Sequence, residues 1–222
     1  MLRSWGYAGV AAAAVLWAAV AQGASVTYNY TSGSATITAT AGTSTIGTGT
    51  LSLNGQSASF DSTSGDLTGF SFTTTPNQWI VLNTVFGGFN QVWVNSATMQ
   101  PGSGYATLST TQISPGHWNT SVMPVVVNAV YTGKNSITNT SAGPFPLSYT
   151  NATPLNSTID VIGGTFTLQG ITLGVIPVPG ETNPVIVKAD VTFEGATPVP
   201  EPAAVGLVAL AGLALGLLRK WE

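Results

Sequence analysis

Cysteine is absent from all 222 residues, which removes disulfides and thiolate metal sites from consideration. Histidine occurs once, at His117. No multi-histidine metal site can therefore be built, and a hydroxyl nucleophile would have a single candidate base. Charge is scarce as well, with only 6% of residues being Asp, Glu, Lys or Arg. Between residues 25 and 197 the acids are Asp61, Asp66, Asp160, Glu181, Asp190 and Glu194, the bases Lys134 and Lys188, and the formal charge −4. That excludes the basic surface that nucleic acid or anionic lipid would need. Side chains of catalytic type are so few that the expectation is a non-enzyme, with no cofactor and no metal residue assigned.

Thr, Ser, Gly, Val and Asn fill the chain from Ser25 onward, and no convincing helical apolar face occurs before Ala203. The pattern is all-β. The first expected strands are Ser25 to Tyr30, Ser34 to Thr40 and Ser44 to Leu53, the second alternating Ala35, Ile37 and Ala39 with Ser and Thr, as a half-buried strand does. Further strands are expected at Gly104 to Thr111 and along Val122 to Thr132, where Pro124 interrupts. Lys134 to Ser157 reads as loop with one short strand at Leu147 to Thr150. Thr165 to Ile176 and Val185 to Glu194 form a final pair.

Three two-residue turns anchor the expected registers. Asn54-Gly55 sets Leu51 opposite Ala58. Gly87-Gly88 pairs Phe86 with Phe89, Leu82 with Trp93 and Val81 with Val94, which makes Trp93 a core residue. Gly163-Gly164 brings Val161 to Phe166 and Ile159 to Leu168. Many strands with short turns favour one domain over residues 25 to 197, a two-sheet β-sandwich of jelly-roll type rather than a closed barrel. A membrane-spanning barrel is disfavoured by the absence of regular strands with aromatic girdles.

The chemistry-bearing residues divide into small groups. His117, in Pro115-Gly116-His117-Trp118-Asn119, reads as a solvated loop histidine. Asp61 and Asp66 have the spacing to share a calcium ion, but loop aspartates more commonly cap their own backbone. Trp79, Trp93, Trp118 and Tyr105 are the set from which a sugar-binding platform would be drawn, and Trp118, beside a loop glycine, is the one expected at the surface.

The two ends carry signals of another kind. Met1 to about Ala24 has Arg3 as its only charge, an apolar core from Ala8 to Val20 and small residues after it, the order of a secretory signal peptide. Cleavage fits Ala19-Val20-Ala21 with a cut before Gln22, giving a signal peptide of residues 1–21; Ala21-Gln22-Gly23 is the second candidate. The partners implied are the Sec translocon and signal peptidase. At the other end, Pro198-Val199-Pro200-Glu201-Pro202 is an extended proline-rich spacer. Sixteen uncharged, largely apolar residues follow, Ala203 to Leu218, and then Arg219-Lys220-Trp221-Glu222. A helix over 203–218 is apolar on every face and about 24 Å long at 1.5 Å per residue, a short transmembrane span. Arg219 and Lys220 act as its stop signal on the cytoplasmic side.

The order Val199-Pro200-Glu201-Pro202, short Leu/Ala/Gly helix and basic residues resembles the PEP-CTERM sorting tail of bacterial exosortase substrates, over the 25 residues from Pro198 to Glu222. The basic cluster is sparser here than is usual in that family. The resemblance implies an exported protein held transiently in the inner membrane with its β domain outside. An exosortase would recognise Pro200-Glu201-Pro202 and trim the chain on its way to the surface. It also implies association with exopolysaccharide and biofilm-like matrix. Two functions remain open: a non-enzymatic surface or matrix protein, and a carbohydrate-binding module on the same export route.

Overall fold

The computed structural model describes residues 25–86, 89–176 and 183–198. It is all-β, with ten strands: β1 Ser25–Ala41, β2 Ser44–Asp61, β3 Leu67–Thr74, β4 Gln78–Phe86, β5 Phe89–Ser114, β6 His117–Asn135, β7 Thr140–Asn151, β8 Leu155–Asp160, β9 Thr165–Ile176 and β10 Val185–Pro198. Among the described residues no helix is long and apolar enough to cross a membrane. The signal peptide, the 203–218 span and the whole sorting tail after Pro198 lie outside the described residues.

All ten strands belong to one antiparallel sheet, and its pairings return to their start. β1 pairs with β2, β2 with β3 and β4, β3 and β4 with β5, β5 with β6, β6 with β7 and β8, β8 with β9, β9 with β10, and β10 with β1. β3 and β4 both run antiparallel to β2 and form one path broken by a turn at 75–77. β7 and β8 likewise form one path alongside β6. The chain thus makes eight successive up-and-down passes, and the last pairs with the first. This corrects the two-sheet jelly-roll expectation. A jelly roll needs long crossovers between sheets, whereas here each pass pairs with the next in sequence, and β5, 26 residues long, bridges what would have been separate sheets.

The three prolines within β6 and β7 sit where a ladder can spare a donor. β6 changes partner at Pro124, from β8 below (Val122 opposite Leu155) to β7 above (Val125 opposite Asn151). Its mate β5 is irregular at the same level, between Pro101 and Ala106. Pro144 and Pro146 lie in β7, whose ladder is only to β6, so a missing N–H on the other side costs no bond. The expected loop from Lys134 to Ser157 is consequently mostly strand.

The registers expected from the three glycine-marked turns hold only in part, and Gly87-Gly88 itself lies outside the described residues. Asn54-Gly55 is no hairpin: β2 runs straight through, with Leu51 opposite Ala35 and Ala58 opposite Tyr28 on β1. Gly55 uses its positive φ of 61° for a bulge against β3, between Asn54 and Ser57. The 17-residue β1 offers both halves of β2 a longer ladder than a local hairpin could. The Gly163-Gly164 hairpin forms with a four-residue turn, Ile159 opposite Phe166, because the Asp160 carboxylate accepts the Gly163 N–H at 2.7 Å and closes a wider loop. Around 87–88, Phe86 does face Phe89, but a bulge between Val81 and Phe86 puts Trp79 opposite Trp93 and Val81 opposite Gln91.

Apolar side chains fill the interior. Phe193 on β10 meets Phe166 at 5.2 Å and, across the core, Phe72 on β3 at 5.5 Å. Phe60 meets Trp118 at 6.1 Å. Each such burial stabilises by about 1.5–3 kcal/mol. The outer faces of β1 and β2 carry Thr36, Thr38, Thr48 and Thr50 in register. Apolar inside and hydroxyl outside is the reverse of the alternation in a membrane-spanning barrel.

Candidate functional site

β4 and β5 present the outer-face feature that stands apart from this hydroxyl cover. Gln78, at the start of β4, is clamped to β2: its side chain accepts the Ser52 N–H at 2.5 Å and donates to Ser52 O at 2.9 Å and Thr75 O at 2.7 Å. That fixes the backbone of the next residue, Trp79, whose neighbour Ile80 is buried in the core. Alternation then sends Trp79 outward, where it is 51% exposed. Its cross-strand partner Trp93 is half-buried on the same face. The Lys134 ammonium lies 5.3 Å from the Trp93 ring centre, a cation–π contact.

The strip widens through neighbouring registers. Val81, exposed, faces Gln91 on one side and Thr48 on the other, and Gln91 faces Lys134 on β6. Thr132, opposite Trp93, donates to the Asn95 side chain at 3.0 Å. The result is an outer surface spanning four neighbouring strands, roughly 15 Å measured along the sheet at about 4.8 Å per strand step. Two indole faces, an aliphatic side chain, hydroxyls and one cation share it. Trp93 Nε1 is buried without an acceptor among the described residues.

The structure redistributes the expected platform. Trp118, expected at the surface, is 5% exposed and lies under Gly65, where an added Cβ would come within 2.3 Å of the ring. The β6 ladder draws it inward beside Phe60. Trp93, expected in the core, is on the outer face, since the bulge slips its register by three residues and an odd slip exchanges the faces of a strand. Tyr105 is half-buried, donating to Leu67 O at 3.1 Å, and burial pushes its phenol well above the usual range. Only Trp79 and Trp93 come together.

The other candidates resolve locally. His117 opens β6 after the 115–116 turn, with Nδ1 3.7 Å from the Asp160 carboxylate. Asp61 accepts the Thr63 and Ser64 N–H groups at 2.7 and 2.9 Å, which hold its carboxyl below the ordinary carboxylate value. Asp66 accepts from the Thr110 hydroxyl. Both aspartates are thus committed to the fold, as turn caps are, and no cluster of three metal-ligating residues occurs among the described residues. Val199, Pro200, Glu201, Pro202, Arg219, Lys220, Ala19 and Ala21 lie outside the described residues.

Sequence reasoning missed Lys134 as a member of the strip. Its only signal was being one of two lysines between residues 25 and 197, and its place beside Trp93 depends on a β5–β6 register spanning more than forty residues. No protein-family model, curated protein or solved structure matches this chain.

Proposed function

We propose that this is an exported, non-enzymatic surface or matrix protein, delivered by its signal peptide through the Sec translocon and held briefly in the inner membrane by residues 203–218. An exosortase then processes it through Val199-Pro200-Glu201-Pro202, and it works outside the cell among exopolysaccharide. The observation that carries this reading is the placement of the two ends. β1 begins at Ser25 and β10 ends at Pro198 as antiparallel neighbours, with Tyr28 opposite Pro198. Among the described residues the two ends thus lie at one rim of the barrel, and the sorting motif follows Pro198 directly in the sequence. A folded domain with that layout can stand outside the membrane while its tail is cut.

Changing Pro200, Glu201 and Pro202 to Ala leaves the apolar run intact, so the protein inserts but accumulates uncut in the inner membrane of a host with an exosortase. Leu210→Lys with Leu213→Asp costs about 2.5–3.5 kcal/mol per charge at the helix centre and releases uncut protein instead. Release of the triple-Ala variant at the wild-type rate would reduce the motif to a linker.

The Trp79–Trp93 strip favours the second reading, carbohydrate binding on the same export route. Indole faces stack on sugar rings while the surrounding hydroxyls and amides meet sugar hydroxyls. The two readings are compatible, since a matrix protein needs a hold on the matrix.

A further inference from the structure

Charge is not spread evenly along this chain. From Leu67 to Ile159 there is no Asp or Glu, and Lys134 is the single Lys or Arg. That stretch supplies all of β3 to β7 and all of β8 but Asp160. Every acid between residues 25 and 197 therefore lies outside the strands that carry the two tryptophans, and an otherwise acidic domain has one acid-free flank.

The registers place both lysines of residues 25–197 on one outer row. Lys188 on β10 is opposite Thr38 on β1, Thr38 opposite Thr48 on β2, Thr48 opposite Val81 on β4, Val81 opposite Gln91 on β5, and Gln91 opposite Lys134 on β6. The row covers five strand steps, roughly 24 Å along the sheet at about 4.8 Å per step. Trp79 and Trp93, two residues from Val81 and Gln91, stand in the adjoining row of the same face. Among the described residues neither lysine has a carboxylate within ion-pairing distance. Asp190, two residues beyond Lys188, accepts the Gly170 N–H at 2.7 Å. Along β2, Asp61 is about 43 Å of strand from Thr48 at roughly 3.3 Å per residue, several times a screening length of about 8 Å.

We infer, resting on the carbohydrate-binding reading of the strip, that its ligand is a carboxylated polysaccharide of the uronic-acid type, laid across the strands along this row. An indole presents a negative face, so two bare tryptophans would favour a neutral sugar. The Lys134 ammonium, 5.3 Å from the Trp93 ring centre, reverses that preference. A sugar stacked on the indoles turns the carboxylate at its ring edge to the ammonium, and no acid on the neighbouring strands β3 to β7 repels it. Lys188 takes a second carboxylate farther along the same polymer.

The full chain, in mild detergent, is run through native gels holding the host's exopolysaccharide, the same polymer with its carboxyls reduced to alcohols, or no polymer. The wild type is expected to be retarded by the native polymer and much less by the reduced one. Lys134→Gln and Lys188→Gln should each weaken binding to the native polymer about threefold, and the double Gln variant should bind both polymers alike. The double Arg variant, which keeps both charges, should behave as wild type. Equal retardation of the wild type by both polymers, or wild-type retardation of the double Gln variant, overturns the inference. If Trp79→Ala still abolishes retardation in that case, the carbohydrate-binding reading stands without the charge selection. A wild type retarded by neither polymer ends both.

Discussion

Two tryptophans of the same sequence class have opposite fates, and their substitution separates binding from folding. Trp118 is wedged between Phe60 and Gly65, so Trp118→Ala should cost about 3–5 kcal/mol in urea unfolding, as core aromatics do. Trp79 lies half in water, and Trp79→Ala should change stability by no more than about 0.5 kcal/mol. Its effect belongs to binding: affinity electrophoresis through the native exopolysaccharide should lose most of its retardation with Trp79→Ala. An unchanged mobility would remove the strip from the account. Asp61 gives a pH signature at the same scale. Its carboxyl titrates lower in the folded chain because the Ser64 and Thr63 N–H groups favour its charged form. The stabilisation it supplies is complete above its unfolded value of about 3.9 and fades as the pH falls through the lower folded value. Asp61→Ala should therefore flatten the acid limb of thermal stability below about pH 4, and a limb as steep as wild type would contradict it.

At the scale of elements, β7 and β9 share no ladder, and the Asn151 side chain bridges them, donating to Thr172 O at 2.9 Å and accepting the Thr172 N–H at 2.7 Å. Asn151→Leu leaves these part-buried Thr172 groups without that partner, at a cost of about 1 kcal/mol each. Hydrogen exchange at Thr172 should accelerate far more than at Phe166, which keeps its β8 ladder. Uniform acceleration would mean that the seam is not a local weak point. Much of this element structure was legible in the residues. Alternation exposed the strands, and the glycine pair at 163–164 marked the β8–β9 hairpin. What stayed hidden is whatever depends on choosing among partners. Asn54-Gly55 has ideal turn chemistry, but only the length of β1, a non-local fact, decides that Gly55 serves a bulge. The Trp79–Trp93 surface was illegible for a related reason: the bulge between Val81 and Phe86 leaves no compositional mark, and a slip of three residues turns a core tryptophan into a surface one. Pro124 suggested a break, and Lys134 to Ser157 read as loop, because a lone sequence does not reveal which side of a strand lacks a neighbour.

The whole molecule closes on itself, and closure orders its charge as well as its ends. Asp61, Asp66 and Asp160 lie toward the rim where β1 enters and β10 leaves, Lys134 lies toward the other with the tryptophan strip, and Glu194, Asp190 and Lys188 are spaced along β10 between them. If the tail anchors the first rim to a membrane, the acidic end faces the lipid headgroups and the strip faces away, toward whatever polymer surrounds the cell. That arrangement would give the proposed export signals and the strip one purpose, and the proposal requires that the chain be cut at both ends. Intact-mass analysis of the protein released by its own host tests this most directly. A single mature species is expected, lacking residues 1–21 and ending close to Pro200-Glu201-Pro202, with β10 complete to Pro198. A released species that still carries Arg219 and Lys220 would contradict it.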